Sequence, residues 1–128
     1  MSGLKHQKHR LMALGAYHFE ITRLDNSIGL YLLVQNCVGM RSIESLGSEE
    51  QKREFLPQLA RFEKDICWAL SEPGRGSDAS GLKTSAKPVE GGFVLNGVKR
   101  WIGNATHADL MIVFARNTQS NQVQGFIV

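Results

Sequence analysis

Cysteine is scarce: Cys37 and Cys67 are the only two in 128 residues, and neither belongs to a CxxC or a His-spaced group. That spacing supports no zinc framework, and a disulfide between the two is the less favoured alternative. It reads as two buried free thiols in a reducing compartment. Long hydrophobic runs are missing too. A bilayer span needs about 20 apolar residues, whereas the longest candidate, SIGLYLLVQNCVGM, is short and interrupted by Gln35 and Asn36. The N-terminus has no signal-peptide core, and Glu20 and Asp25 speak against a basic transit helix. A nucleic-acid binder would carry a clustered basic stripe with interleaved aromatics. Here the formal charge is only +3 and the one dense basic cluster is KHQKHR, Lys5 to Arg10. It reads as a solvated face. Its rival, phosphate binding, would appear as salt-sensitive DNA or RNA binding lost on neutralising those residues.

What is present points to a globular fold. Hydrophobic residues make up 42% of the chain and charged residues 21%, enough for one packed core and too apolar for disorder. The period changes midway. From Leu4 to Glu63 apolar residues recur at helical spacing. Leu11, Leu14, Tyr17 or His18, Ile21 and Leu24 mark one face; Ile28, Leu32, Val34 or Gln35, Val38 and Ile43 mark a second helix. Gly47 suits a left-handed helix end. Ser48 followed by Gln51 has the capping-box pattern, and Pro57 should kink or end the short helix that follows. After Asp65 the pattern becomes strand-like: ICWAL, FVLNGVKRWIG with a turn signal at Asn96-Gly97, DLMIVFA and GFIV, with a further turn at Gly91-Gly92. The expectation is an α+β fold, with residues 1–65 belonging to a helical domain and 66–128 to an antiparallel, barrel-like β domain. Because the sequence stops inside QGFIV, a strand-like run, it is read as a fragment of a longer protein.

The densest chemistry lies in WALSEPGRGSDASG, Trp68 to Gly81. Three readings compete: a plain connection, a dinucleotide fingerprint and a ligand loop. Gly74, Gly76 and Ala79 fit G-x-G-x-x-A, but that motif requires a helix to follow, and Gly81, Ser85, Pro88 and Gly91-Gly92 break one. A ligand loop on a β scaffold is favoured, its free N–H groups and the hydroxyls of Ser71, Ser77 and Ser80 suiting a heterocycle's acceptor edge. About thirty residues on, KRWIGNATHADL offers Trp101 as one wall of a pocket for a planar ligand.

Together these segments resemble the flavin-dependent acyl-CoA dehydrogenase and oxidase family. ALSEPGRGSDASG is similar to that family's first signature, departing at Arg75, and GSEEQKREFLPQLA and VLNGVKRWIGNATHADLMIVFAR are similar to further family segments. The resemblance implies FAD as cofactor and an acyl-CoA substrate. Trp68, Leu70 and Ser71 would meet the flavin edge largely through backbone groups, Trp101, Ile102 and Gly103 would border the ring, and Ser77 would face the thioester and pantetheine. It also implies a C-terminal helical bundle, absent here, that carries the Glu base. No catalytic residue is therefore assigned within this sequence, and no metal. Glu72 is read as ordering its loop and Asp78 as capping a turn.

The implied activity is α,β-dehydrogenation of acyl-CoA to trans-2-enoyl-CoA in fatty-acid β-oxidation, by a full-length homo-oligomer, dimer or tetramer, with no membrane span. Gly103 stands where many dehydrogenases have Thr, and RWIGN is similar to plant-type short-chain acyl-CoA oxidases. Oxygen then becomes a candidate electron acceptor. The compartment would be the peroxisome for an oxidase and the mitochondrion for a dehydrogenase. Gly29 aligns with an Arg of glutaryl-specific relatives, which favours a short or medium monocarboxylic acyl chain. The rival reading is a non-catalytic remnant that binds FAD or CoA.

Overall fold

The computed structural model describes the backbone of residues 2–128 and side-chain surroundings from residue 11 onward, so the side chains of the Lys5–Arg10 cluster lie outside the described residues. Helices fill the first half: α1 (Ser2–Leu24), α2 (Asn26–Leu32), a π-helical segment (Leu33–Met40), α3 (Arg41–Leu46) and α4 (Glu49–Ala60). Among the described residues, none of these is long and apolar enough to cross a membrane. Asp25 starts α2, its carboxylate accepting from the Ser27 and Ile28 amides. Ser48 starts α4 with the expected reciprocal capping box, Gln51 N donating to its hydroxyl and its own N–H donating to Gln51 Oε1.

Three helical expectations need correction. The first-helix face of Leu11, Leu14, Tyr17 and Leu24 is exposed, because α1, among the described residues, packs chiefly against α2. Gly47 is extended, at φ −70 and ψ 154, not left-handed. Glycine is needed there because a Cβ would lie 2.6 Å from the Ile43 carbonyl oxygen. Pro57 lies inside α4, which continues to Ala60. One missing N–H is tolerated when Leu59, fully buried, with Phe55 and Leu56 beside it, anchors the helix on the core.

Among the described residues, five strands form one sheet: β1 (Ile66–Ala69), β2 (Ser85–Val89), β3 (Gly92–Asn96), β4 (Leu110–Asn117) and β5 (Val123–Ile127). The sheet is mixed rather than antiparallel, and it does not close into a barrel. β4 runs parallel to both β1 and β2, while β2–β3 and β4–β5 are antiparallel hairpins. Gly91, at φ +79, makes the β2–β3 turn. Asn96-Gly97 makes no hairpin. Gly97 is instead a close approach, where a Cβ would lie 2.7 Å from Thr84 Cα. β4 is mostly buried, as expected, but β5 is largely exposed.

The register of β4 determines where the chain leaves the sheet. Ile112 and Val113 pair with β1 and β5 at once, and Arg116 pairs with β2 and β5. β1 and β2 therefore share one side of β4, end to end. The residues between them, 70–84, have no place in the ladder and must project as a loop. The core lies between this sheet and the helices: Ile43 and Leu59 pack on Ile66, Leu110 and Ile112.

A buried side chain joins the two layers. Gln35 is wholly buried. Its Nε2 donates to the Leu59 and Lys64 carbonyls at 3.2 and 3.0 Å, and its Oε1 accepts from Ile66 N at 2.9 Å. In sequence this residue looked like a break in an apolar helix. Its function is to satisfy backbone groups where α4 ends and β1 begins.

Candidate functional site

Two segments, Leu70–Thr84 and Gly97–Asp109, come together beyond the C-terminal end of β1. Arg100 N donates to Ser71 O at 2.9 Å. Lys99 Nζ donates to Leu70 O at 3.0 Å and to Glu72 Oε1 at 2.9 Å. Of the residues singled out in the sequence, Leu70, Ser71, Trp101, Ile102 and Gly103 thus lie on directly bonded neighbouring stretches. Lys99 carried no recognisable signal: a lysine in a polar turn is ordinarily solvated.

The first segment is built by its own polar residues. Glu72 and Arg75 exchange backbone hydrogen bonds across Pro73-Gly74, and Gly74 supplies the positive φ of +74 that a type II turn needs. Arg75, the departure from the signature, ends this turn with its guanidinium 2.6 Å from the Asp78 carboxylate. Asp78 caps the short 3-10 turn Ala79–Gly81, accepting from Gly81 N at 3.0 Å and Ser80 Oγ at 3.2 Å. The Arg75 and Ser80 hydrogen bonds hold its carboxyl below the usual range.

Glu72 is the most constrained carboxylate of the site, only 7% exposed. Lys83 N (2.6 Å), Thr84 N (2.9 Å), Thr84 Oγ1 (2.5 Å) and Lys99 Nζ (2.9 Å) all donate to it. Burial opposes its charge, but the bonds from Thr84, Lys83 and Lys99 outweigh burial and bring the pKa down from 4.5 to about 2. Glu72 therefore organises structure, as expected of it, and Asp78 caps a turn.

The second segment is strained. Trp101 has φ +62 and Asn104 φ +63. A left-handed conformation costs a bulky L-residue about 1–2 kcal/mol. It persists because neighbouring bonds fix the chain: Arg100 N on Ser71, the Arg100 guanidinium 4.5 Å from the Trp101 ring centroid, and Asn104 O accepting from the His107 and Ala108 amides. The result is a tryptophan 82% exposed, beside a Gly103 whose Cβ position is open space. Among the described residues, the Ser71 amide and hydroxyl and the amides of Trp101, Ile102 and Gly103 have no partner within the chain. Strain of this kind concentrates at binding and catalytic sites.

Two other singled-out residues lie differently. The Trp68 ring belongs to the core, edge-on to Phe114 with centroids 4.9 Å apart, its Nε1 buried without a partner. Its backbone is paired with Ile112 in the β1–β4 ladder. Ser77 is exposed beyond the Glu72–Arg75 turn and, among the described residues, makes no hydrogen bond to the second segment. An open apolar groove of about 1050 Å³, lined by Ile43, Leu46, Phe93, Leu95, Phe114 and Phe126 among others, shares no residue with the two segments. Cys37 and Cys67 are both free thiols, Cys67 buried and Cys37 half-buried.

Comparison with known proteins bears on both halves. Residues 6–63 match the profile "Acyl-CoA dehydrogenase, N-terminal domain", and residues 67–128 match "Acyl-CoA dehydrogenase, middle domain". The mouse (Mus musculus) mitochondrial short-chain specific acyl-CoA dehydrogenase is 39% identical over 106 residues, covering 83% of this chain and 26% of that protein. A glutaryl-CoA dehydrogenase of Mycobacterium smegmatis superposes with a TM-score of 0.85 at 35% identity, over 91% of this chain and 30% of that one. A glutaryl-CoA dehydrogenase from the same organism in complex with FADH2 superposes at 0.81 with 37% identity, over 87% and 28% of the two chains. The chain thus spans about a quarter of the length of the relatives it matches. With two adjacent profiles of one family accounting for nearly all its residues, and the helical region and mixed sheet superposing on family members, this chain belongs to the acyl-CoA dehydrogenase family, whose N-terminal and middle domains it matches.

Proposed function

We propose that the chain forms the flavin-facing part of an enzyme that performs FAD-dependent α,β-dehydrogenation of acyl-CoA thioesters to trans-2-enoyl-CoA, a step of fatty-acid β-oxidation. The observation that carries this reading is the junction of Leu70–Ser71 with Trp101–Gly103. A planar heterocycle with an acceptor edge requires fixed donors and a flat apolar wall. The unpartnered Ser71 hydroxyl and amide, the free amides of Trp101 to Gly103 and the exposed Trp101 ring fit that requirement. Trp68, Leu70 and Ser71, largely through backbone groups, and Trp101, Ile102 and Gly103 would hold FAD. When bound, the cofactor supplies the acceptor for the hydride leaving the substrate's β carbon. The chain's part is to orient the ring and to place donors where negative charge is favoured, without reorganisation. Ser77 would face the thioester and pantetheine.

Neither loop carboxylate suits the role of α-proton acceptor. Glu72 is saturated with donors at a pKa of about 2, and Asp78 is held by Arg75. The base is assigned outside these 128 residues, and the chain by itself is expected not to turn over. The helical domain is proposed as residues 1–65 and the β domain as 66–128. The whole enzyme is proposed to be a homo-oligomer. At Gly29 a Cβ would overlap Thr22 Oγ1 and lie 3.1 Å from Thr22 Cα, so a side chain could enter only if Thr22 shifted, and the glycine itself offers no cation for a second carboxylate. This supports a short or medium monocarboxylic acyl chain. The open space at Gly103 supports access of oxygen to the ring, and with it a peroxisomal oxidase; electron transfer to a flavoprotein partner would instead fit a mitochondrial dehydrogenase. The test is anaerobic addition of butyryl-CoA to the full-length flavoprotein. Bleaching of the flavin band is expected; an unchanged spectrum with short and medium acyl-CoAs overturns the reading. Rapid return of colour in air supports the oxidase, and a strict need for an electron-transfer flavoprotein overturns it.

A further inference from the structure

The two ligand-facing segments are far apart in sequence and belong to no common strand, so something must fix their separation. Backbone pairing contributes one bond, Arg100 N to Ser71 O. Among the described residues, the other hydrogen bonds between the segments come from a single ammonium group. Lys99 Nζ bridges the Leu70 carbonyl at 3.0 Å and the Glu72 carboxylate at 2.9 Å, with the side chains of Lys99 and Glu72 only 11% and 5% exposed. Glu72 in turn is bonded to Lys83 N, Thr84 N and Thr84 Oγ1, at the point where β2 begins. Gly97, two residues before Lys99, is pressed against Thr84 so closely that no Cβ fits. The lysine therefore ties the second segment to a carboxylate already rigidly mounted on the sheet.

We infer that Lys99 and Glu72 are a positioning pair, which holds Leu70–Ser71 and Trp101–Gly103 at the one separation where both can engage the flavin. The inference rests on the flavin reading above and deepens it. Neither side chain is assigned a contact with the cofactor. Their buried charge-assisted bond is of the kind whose loss leaves a partner uncompensated, so its removal should be felt through the loops it joins. The left-handed Trp101, two residues beyond Lys99, would lose the constraint that keeps it strained and exposed.

The experiment uses the full-length protein, stripped of flavin and titrated with FAD, comparing wild type with Lys99→Met and Glu72→Gln. Lys99→Met leaves the three other donors to Glu72 in place, so the β scaffold should stay folded. FAD binding should weaken by about tenfold or more in each variant, one to two hydrogen-bond equivalents. The visible flavin spectrum should lose its resolved shoulders. Hydrogen exchange, measured without flavin, should quicken at the Arg100 amide in Lys99→Met while the Lys83 and Thr84 amides keep their protection. A wild type that binds FAD beside a Lys99→Met protein that binds equally tightly, with the same spectrum and the same Arg100 protection, overturns the positioning role alone. A wild type that takes up no FAD overturns the flavin reading and this inference together. Glu72→Gln supplies a second removal of the charge pair, so the outcome does not depend on one variant folding.

Discussion

Replacing Gln35 by Leu separates the packing of this side chain from its polar work. Leucine keeps an apolar contact with the core but removes one acceptor and two donated bonds. The three backbone groups left behind are not equivalent. Leu59 O retains Phe62 N as a partner at 3.2 Å, and the Lys64 carbonyl is part-buried and within reach of water. Ile66 N is different: it sits on a fully buried residue, with Gln35 Oε1 as its acceptor. A buried, unpaired amide costs about 1–3 kcal/mol, and a weakened bond at the other two about 1 kcal/mol more. Burial of the leucine side chain returns roughly 1 kcal/mol. The expected net loss is about 1–3 kcal/mol. Urea unfolding of the full-length protein should show it as a lower midpoint at unchanged slope. Hydrogen exchange should show selective loss of protection at Ile66. A variant within about 0.5 kcal/mol of wild type, the scatter of ordinary surface changes, with Ile66 still protected, would refute the claim that this one amide link carries the junction of helix and sheet.

Other perturbations test other parts. Gly97→Ala should destabilise by about 2 kcal/mol or more, because the new methyl meets Thr84 backbone at 2.7 Å, and thermal melting would register it. Glu72 has its pKa lowered from 4.5 to about 2, so its contribution is complete above pH 4.5 and fades as pH falls toward 2. The amount is on the order of 3 kcal/mol, and Glu72→Gln should flatten that part of the stability profile; an unaltered acid profile contradicts the carboxylate's role. Ser48→Ala should cost about 1 kcal/mol by uncapping α4, measurable as a shift in midpoint. Gly103→Thr should leave FAD bound while slowing reoxidation in air by roughly fivefold, the effect of one added hydrogen bond of about 1 kcal/mol; an unchanged rate in stopped flow removes the case for oxygen access at this position.

Local chemistry was readable in the sequence where the interaction is local. The Ser48–Gln51 capping box, the Gly91 turn and the turn-capping Asp78 all act across three residues or fewer, and their residue types declare them. Strand content was readable too, since ICWAL and DLMIVFA are apolar runs. Direction was not. β1 and β4 are parallel neighbours separated by some forty residues, and an apolar run looks the same whichever way its partner points. Gly47 and Gly97 mimic turn signals, yet Gly47 is a glycine because the Ile43 carbonyl four residues back leaves no room for a Cβ, and Gly97 because Thr84, from a separate loop, passes within van der Waals distance. Exposure of α1 was hidden for a related reason: helical periodicity marks an apolar face without saying what covers it. At the candidate site, Trp101 was legible by type and its left-handed backbone was not. Lys99 was illegible altogether, because the carboxylate and carbonyl that give it meaning lie twenty-seven and twenty-nine residues away.

The π-helical stretch Leu33–Met40 carries a consequence for how this fold can vary. A π turn accommodates an additional residue relative to the α-helix around it. Deleting one residue from the stretch would let it relax to ordinary α geometry with the positions after it close to where they now stand, whereas the same deletion from an unbroken α-helix would swing them by about 100° around the axis. Ile43, which closes the core against Leu59 and Ile66, would then keep its place. Lineages sharing this architecture should therefore tolerate loss of one residue here more readily than in the regular helices beside it, because the π turn holds slack in the residue count.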